Sequence, residues 1–451
     1  MFRGGEPNGS PKAMEDISRF VCYTLDHIGY SQDIIRLRRN YWRKYTRLFN
    51  ESFGCNCITA GSKAEGITSV CESDMDCMFL PNNAICTDSV EPLLQLPGMT
   101  TFQTDRSNTV PGYTKFKMIN YNKEATPFAI QESLFRENSG DVFASSTLFV
   151  SNLNRMAYSD DFLTFHDLSG PAVPVTGPLG TMFDMVIALP CINADVLHSF
   201  RTRQRQHDWP PSDIIQDEST AVCQLVPVGY KGSCDQWKEW RFCFIQTELN
   251  LTSSLNDTQI KLYIVLKMIA KNILKCVSNE ISSYIMKNIT YWLSERLSAR
   301  IFREENLIAL ILLALRCLQV SVKNMCLPYY MIPGRNLLAE RLEPNTRLIL
   351  SDVISKLLDE GPQLLMRCEK LRDGLVVMYR SPELAVNFKN TKESFELFNY
   401  LNSLQNCENV FELEKETDMR TFLRTLLSDF NRWLLETGNT DVFAQIISLC
   451  S

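Results

Sequence analysis

The sequence predicts an α+β protein with two lobes and a cleft between them. Strand and helix patterns alternate in the first part of the chain, whereas the second part is almost entirely helical in pattern. A chain of 451 residues with 45% hydrophobic residues is long and apolar enough for two or three packed domains. No internal repeat is visible in the sequence.

Changes in composition along the chain predict four segments. The polar start over 1–10 is rich in glycine and proline, which predicts a flexible tail and not a signal peptide. We expect a helix and a strand-containing core over 11–255, a helical lobe over 256–380, and a helical extension of unassigned role over 381–451. The longest apolar run, 307–315, is too short for a membrane span, so no span is expected.

Charge and cysteine content narrow the function classes. The net charge of −6 excludes a polycationic protein, so any nucleic-acid binding must come from a local patch. The 16 cysteines are scattered, mostly within apolar runs, which predicts reduced, buried thiols and a cytoplasmic location. The four histidines do not cluster, and Cys55 and Cys57 have no Cys/His set beside them, so no zinc is expected.

One or two helices are predicted over residues 10–50, with Ser10 and Pro11 as cap and first turn. Their apolar face consists of Ile34, Leu37, Tyr41, Tyr45 and Leu48. The basic residues follow the same spacing two positions later, which is about 200° of rotation around the helix and places them on the opposite face. This basic stripe consists of Arg36, Arg39, Arg43 and Arg47, widened by Arg38 and Lys44. This stripe is interpreted either as a solvated outer face or as a surface that binds the nucleic-acid backbone.

The stretch 61–80 predicts a site for phosphate and metal. Gly61 and Ser62 predict a tight turn whose N–H groups and hydroxyl suit a phosphate. The residues from Val70 onward have the composition of a strand, and residues two apart on a strand point to one face, so Asp74 and Asp76 would present two carboxylates together. Mg2+ is usually held by one or two carboxylates plus substrate phosphates. The alternative is a solvated strand end, because Asp-x-Asp pairs are common.

The apolar strand predicted over 182–190 contains a single acid, Asp184. A lone carboxylate in such a strand is costly to bury unless it is paired or bound to metal. Asp184 is therefore the predicted third ligand beside Asp74 and Asp76, unless it lies at a strand end and faces water. Three such acids with a Gly-Ser turn predict metal-assisted phosphoryl or nucleotidyl transfer.

The remaining elements are predicted from periodicity and turn residues. The region 82–108 is expected to be rich in loops, 168–175 to be a connector and 325–338 to be a structured loop, and strands are expected over 112–118 and 240–244. Helices are expected over 145–155, 259–277, 282–299, 306–322, 343–358, 362–372, 414–435 and 440–449.

Several segments, in order, resemble those of one family. They are GSKAEG with SDMD, FDMVIAL, Gly170-Pro171-Ala172, Trp209-Pro210, LVPVG, EWRFCFIQTEL, SSYIMKNITYWLSE and LPYYMIPGRNLL. Over roughly 11–370, the chain resembles the cyclic GMP-AMP synthase-like receptors, within the male-abnormal-21-like nucleotidyltransferases. The acidic turn alone is shared with many nucleotidyltransferases, whereas the ordered set is much more specific.

The resemblance implies a bilobal nucleotidyltransferase fold, with a mixed β-sheet core lobe and a helical C-terminal lobe. It implies an innate immune receptor that makes a cyclic dinucleotide from ATP and GTP with Mg2+ or Mn2+. The residues that match the catalytic and metal-binding triad are Asp74, Asp76 and Asp184. Matching nucleotide-contact positions are Gly61 and Ser62 at the phosphates, Arg241 at a base, Glu248 near the nucleotide, Lys267 and Ser283 at the phosphate tail, and Tyr284 stacked on a base. The helix that matches the family's spine, whose basic face receives double-stranded nucleic acid, carries Arg36, Arg39, Arg43, Lys44 and Arg47.

Two departures from the family pattern affect this reading. Cys243 stands where the vertebrate enzyme has a serine near the base, which leaves the choice of purine open. The connector 250–259 contains no Cys or His, so the zinc insertion that helps the vertebrate enzyme bind DNA is absent. That absence favours double-stranded RNA over DNA as the activating ligand, and a ligand-induced dimer is compatible with the family. Two alternatives stay open: an inactive structural or developmental family member, and a nucleotidyltransferase with linear products.

Overall fold

The computed structural model describes residues 11–69, 72–89, 96, 98–156, 164–167, 170–176, 182–192, 195–217, 223–390, 392 and 396. These residues form two compact units. The helical unit comprises the described parts of Met1–Gln32, Ser199–Ile215 and Leu251–Lys392, and the strand-containing unit comprises those of Asp33–His198, Gln216–Asn250 and Glu393–Ser451. Both units are discontinuous in sequence: residues 11–32, which include the first helix, Ser199–Ile215 and residues 251–255 group with the C-terminal helices, and the other described parts of 11–255 belong to the strand-containing unit.

The described helices have the following bounds: α1 (Pro11–Leu25), α2 (Gln32–Phe53), α3 (Gly61–Ala64), α4 (Phe128–Gln131), α5 (Ser146–Met156), α6 (His198–Thr202), α7 (Ser212–Asp217), α8 (Ile245–Ser253), α9 (Asp257–Asn272), α10 (Ser283–Arg296), α11 (Leu307–Asn324), α12 (Pro344–Glu360) and α13 (Glu369–Arg380). A π-helical turn, Asp26–Tyr30, follows α1 and contains Gly29 with a φ of 94°. α9 begins with a capping box. The side-chain oxygens of Asn256 and Gln259 each accept a hydrogen bond from the backbone N–H of the other residue.

The described strands have the following bounds: β1 (Cys57–Ala60), β2 (Met75–Phe79), β3 (Ala84–Thr87), β4 (Thr100–Asp105), β5 (Tyr113–Asn120), β6 (Leu134–Arg136), β7 (Val142–Ala144), β8 (Thr164–Phe165), β9 (Val173–Thr176), β10 (Met182–Ile187), β11 (Leu189–Ile192), β12 (Cys223–Val226) and β13 (Trp240–Cys243). They form a five-stranded sheet, β1-β2-β10-β9-β8, and an eight-stranded sheet, β13-β12-β11-β3-β4-β5-β7-β6, in which β13 also pairs with β5. Each sheet contains parallel and antiparallel pairs, so the predicted mixed sheet is confirmed.

Aromatic packing forms part of the core of the strand-containing unit. Trp240 is completely buried, and its ring centroid lies 4.6 Å from that of Phe116 and 5.2 Å from that of Phe149. Its Nε1–H donates to the carbonyl of Ala144 at 2.9 Å, so burial leaves no unpaired indole donor. This packing holds β13 against β5 and α5.

The helical unit is built around α9 and α11. Lys261 on α9 is 1% exposed, and its ammonium lies 2.8 Å from Asp26 and 2.7 Å from Asp257, so the buried charge is paired. By length and composition alone, the stretch Glu304–Asn324 could cross a membrane. In the protein, 44% of its most apolar 18 residues are buried. Core helices satisfy the same criterion, and α11 packs against α1, α9 and α12.

Most of the predicted elements are confirmed with small shifts of their ends. The strands expected over 112–118 and 240–244 are β5 and β13, the helix expected over 145–155 is α5, and the next four expected helices match α9 to α12. The helix expected over 362–372 is instead a 3-10 helix, Gly361–Arg367, followed by α13. The helices expected over 414–435 and 440–449 lie outside the described residues.

Three expectations about strands and connectors need correction. The region 82–108 contains the strands β3 and β4 between its loops, and the connector 168–175 contains most of β9. The apolar run 182–190 is not one strand: it breaks at Ala188 into β10 and β11, which belong to different sheets. Strands of four to six residues are too short for a reliable alternation pattern, and a continuous apolar run hides a one-residue break.

Candidate active site

The parallel strands β2 and β10 align two of the predicted acids. Asp184 on β10 lies opposite Asp76 on β2. On the other side of β2, Asp76 lies opposite Ala60, the residue before the glycine-serine turn. Asp74 lies just before β2 begins, so the strand expected from Val70 onward starts later than predicted. The register nevertheless places all three acids at one end of this strand pair.

The carboxyl groups of Asp74 and Asp184 interact directly. Burial, the negative charge of Asp74 and a hydrogen bond to Asp74 all raise the pKa of Asp184 above its usual value. Two neighbouring carboxylates repel each other unless a proton or a cation lies between them. The pair therefore fits a divalent cation such as Mg2+ or Mn2+, which takes one or two carboxylates together with phosphate oxygens.

Asp76 is directed at the glycine-serine turn. A Cβ added to Gly61 would lie 1.7 Å from Asp76 Oδ2 and 2.7 Å from its Cγ, so the carboxylate rests directly against the glycine. Across the described part of the chain, no group of three or more His, Cys, Asp and Glu side chains is arranged to hold a metal ion. The structure thus pairs Asp74 with Asp184 and does not gather the predicted triad into one cluster.

The glycine-serine turn is one turn of helix, α3, and not the tight turn expected. Gly61 has a φ of 65°, a left-handed conformation that glycine adopts at no steric cost. The N–H of Glu65 donates to the carbonyl of Gly61 at 3.1 Å, and that of Ile67 donates to the carbonyl of Ser62 at 3.0 Å. Ser62 is only half-buried, so the segment is held by its backbone while the serine stays accessible.

Two arginines of α2 hold the end of this turn. Arg39 Nε donates to the carbonyl of Glu65 at 2.8 Å, and Arg38 Nη1 donates to the carbonyl of Gly66 at 3.4 Å. Gly66 has a φ of 76°, and an added Cβ would lie 2.5 Å from the carbonyl oxygen of Ile35. The turn therefore packs backbone to backbone against α2.

The predicted basic stripe on α2 is only partly exposed. Its solvent-facing side chains are Arg36, Arg43 and Arg47, with Arg39 and Lys44 half-buried. The expectation that Arg38 widens the stripe is wrong, because Arg38 is 2% exposed and paired with Glu396. The buried positions are Ile34, Ile35, Arg38 and Trp42, so the inner face of the helix lies about one residue away from the apolar face predicted.

Two predicted nucleotide-contact residues lie in the strand-containing unit. Arg241 on β13 is half-buried, opposite Val226 of β12 and Tyr113 of β5. Glu248 lies on the first turn of α8 and is 9% exposed. Cys243, two residues after Arg241 on the same strand, is half-buried and so lies on the same face.

Three predicted nucleotide-contact residues lie in the helical unit. Lys267 is half-buried on α9, while Ser283 and Tyr284 are the first two residues of α10. The Tyr284 ring centroid lies 6.0 Å from that of Tyr329 and 5.1 Å from the Lys287 ammonium. Lys287 was not among the predicted residues, although its position three residues after Tyr284 on a helix was a usable signal.

A comparison with protein families identifies part of the helical unit. Residues 261–356 match the family described as the Mab-21 protein HhH/H2TH-like domain. The matched stretch runs through α9, α10 and α11 into α12. This similarity supports a relationship to the Mab-21-like nucleotidyltransferases, the broader of the two families named from the sequence.

Proposed function

We propose that this chain is a bilobal nucleotidyltransferase that joins two NTPs into a cyclic dinucleotide, as cyclic GMP-AMP synthase-like receptors do. The observation that supports this chemistry most directly is the Asp74–Asp184 pair, whose repulsion a divalent cation would relieve. The family match over 261–356 supports a nucleotidyltransferase relative. The cyclic product rests on the ordered resemblance of the sequence motifs.

The chain's own residues bind and orient the substrates. Mg2+ or Mn2+, held by Asp74, Asp76 and Asp184, would neutralise the triphosphate and lower the barrier to attack by a ribose hydroxyl. Binding in this way requires the Asp76 side chain to turn from Gly61 toward the other two carboxylates. Gly61 and Ser62 would orient the triphosphate, so much of the rate gain would come from positioning.

The remaining predicted contacts divide between base and phosphate. We assign Arg241 and Glu248 to the base and its surroundings, with ATP and GTP as the substrates. Lys267 and Ser283 would contact the phosphate tail, and the exposed part of the Tyr284 ring would stack on a base. Cys243, on the same strand face as Arg241, is the position from which base choice would be adjusted.

The activating ligand we propose is double-stranded RNA in the cytoplasm, bound along the exposed arginines Arg36, Arg43 and Arg47. Charge on one face of a helix suits a regular phosphate backbone without reading its sequence. Arg39, on the same helix, holds the carbonyl of Glu65 at the end of α3. Ligand binding to α2 could therefore shift the population of active-site turn conformations, and dimer formation on the ligand is a further proposal.

The first test of this function is product analysis with labelled ATP, GTP, CTP and UTP, Mg2+ or Mn2+, and double-stranded RNA, double-stranded DNA or neither. We expect a phosphatase-resistant product that depends on RNA and disappears in Asp74→Asn. The matched control is Asp167→Asn, which neutralises an exposed acid in the same unit and should leave product formation unchanged.

Other outcomes of this assay identify the alternatives. A phosphatase-sensitive product that needs Asp74 would mean a nucleotidyltransferase with linear products. Mg2+-dependent NTP binding without turnover would mean an inactive family member, a reading favoured by the position of Asp76 against Gly61. Product formation that survives Asp74→Asn would contradict the proposed chemistry.

Charge reversal on α2 tests the proposed ligand surface. The triple variant Arg36→Glu, Arg43→Glu, Arg47→Glu should abolish stimulation by RNA. It should also reduce the slope of log K for RNA binding against log salt concentration by about 1 per lost phosphate contact. Arg303→Glu is a control matched to the single change Arg47→Glu, because Arg303 is 63% exposed and 3.9 Å from Glu305, and Arg47 is 66% exposed and 3.9 Å from Glu51. RNA-stimulated activity that persists in the triple variant would rule out this surface.

A further inference from the structure

We infer that Glu396, in the extension 381–451 to which the sequence assigned no role, is a positioning residue for the active-site turn. It acts through Arg38, whose guanidinium joins the Glu396 carboxylate to the carbonyl of Gly66 at the end of that turn. The inference rests on the proposed function, because the turn matters for catalysis only if Gly61 and Ser62 hold a triphosphate.

The contact between Arg38 and Glu396 is a buried, forked ion pair. Arg38 Nε lies 3.0 and 3.1 Å from the two carboxylate oxygens of Glu396, and Nη2 lies 2.5 Å from Oε1. The two side chains are 2% and 3% exposed. Charge-assisted, forked pairs of this kind fix orientation as well as distance, so Glu396 sets the plane in which the guanidinium lies.

The remaining guanidinium nitrogen, Arg38 Nη1, is directed at the turn. It donates to the carbonyl of Gly66 at 3.4 Å. Gly66 packs so closely on α2 that a Cβ would lie 2.5 Å from the carbonyl oxygen of Ile35, so it cannot move inward to follow a displaced guanidinium. Without Glu396, Arg38 would be a buried cation that has lost its acid and would shift to regain solvation. The carbonyl of Gly66 would then lose this donor.

Lys392 shows that the start of the extension is also anchored. It precedes Glu396 by four residues, is 8% exposed, and its ammonium donates to the carbonyl of Ile28 at 3.4 Å within the helical unit. A Cβ added to Gly29 would lie 2.7 Å from the Lys392 Cε. Two buried, oppositely charged residues spaced one helical turn apart are thus both engaged, which argues against an incidental contact by Glu396.

Hydrogen exchange of the full-length protein without nucleotide tests this inference. The amides of Glu65, Gly66 and Ile67 are hydrogen-bonded in the turn and report its opening. We expect Glu396→Gln to accelerate their exchange by about tenfold or more while amides in β6 and β7 change little. Arg38→Lys keeps the charge but cannot donate several hydrogen bonds in fixed directions, so exchange of the same amides should also become faster.

The matched control is Glu383→Gln, which neutralises an exposed acid of the same extension and should leave exchange over 61–69 as in the wild type. If the protein turns over NTPs, Glu396→Gln should also lower kcat/KM and Glu383→Gln should not. Faster exchange spread equally over the whole chain, or Arg38→Lys behaving as wild type over 61–69, would overturn the inference. Faster exchange confined to 61–69 in a protein without turnover would support the positioning role and contradict the proposed function alone.

Discussion

Replacing Gly61 with alanine is expected to abolish nucleotidyl transfer and to destabilise the strand-containing unit. The residue has a φ of 65°, and its new Cβ would lie 1.7 Å from Asp76 Oδ2, so either the turn or the Asp76 side chain must move. We expect a loss of about a thousandfold or more in kcat/KM, which corresponds to about 4 kcal/mol. Backbone strain should lower the free energy of unfolding by about 1–3 kcal/mol.

The matched control for this variant is Gly54→Ala. Gly54 has a φ of 57°, close to that of Gly61, but an added Cβ there meets no atom within 4 Å. Both variants therefore carry similar left-handed strain, and only Gly61→Ala collides with Asp76. Thermal melting and NTP turnover of the two proteins separate the cost of strain from the cost of the collision. Equal activity of Gly61→Ala and Gly54→Ala would show that the turn has no catalytic role.

Replacing Asp184 with asparagine is expected to abolish turnover and yet stabilise the protein in the absence of metal. The variant removes one charge from the Asp74–Asp184 pair and keeps the shape of the side chain. The cost of burying a charged carboxylate and the repulsion by Asp74, which both raise the pKa of Asp184, are therefore lost. We expect turnover to fall by about a thousandfold or more and Tm to rise by about 2 °C. Mg2+ or Mn2+ should raise the Tm of the wild type and not that of the variant.

The pH dependence of this effect follows from the direction of the pKa shift. Because the folded-state pKa of Asp184 is raised, the folded protein binds the proton more tightly than the unfolded chain, and this group lowers stability as pH rises. The loss begins near the ordinary carboxyl value, 3.8, and is complete above the raised pKa. The difference in Tm between Asp184→Asn and the wild type should therefore grow with pH across this window. A wild type that melts above the variant at neutral pH without metal would contradict the prediction.

The acids of the candidate site could be predicted because their signals are local. Asp74 and Asp76 stand beside an apolar strand, and Asp184 interrupts another, so each was conspicuous against its neighbours. A parallel pairing of β2 with β10 then brings the two segments together. What the sequence did not reveal is that Asp76 faces Gly61, because the direction of a side chain depends on where the strand begins.

The residues that support the site could not be predicted in the same way. In the sequence, Arg38 stands among the basic residues predicted to form an exposed stripe, but it is buried and paired with Glu396, which is 358 positions away in the chain. A helical pattern shows which residues share a face, and it does not show which distant acid reaches that face. The same limit applies to Lys261: its spacing from Asp257 fits an i,i+4 pair, but no local pattern shows that Asp26, 235 positions away, also pairs with it.

The break at Ala188 has a consequence for variants that test the base contact proposed at Arg241. Ala188 is fully buried and its N–H donates to the carbonyl of Phe79 at 3.0 Å, which fixes the step from β10 to β11. β11 pairs with β12, and β12 pairs with β13. The position of Arg241 relative to Asp184 is therefore fixed by hydrogen-bonded strands. Side-chain replacements at Arg241 are therefore expected to leave Asp184 in place, whereas insertions or deletions in β11 or β12 are expected to shift one residue relative to the other.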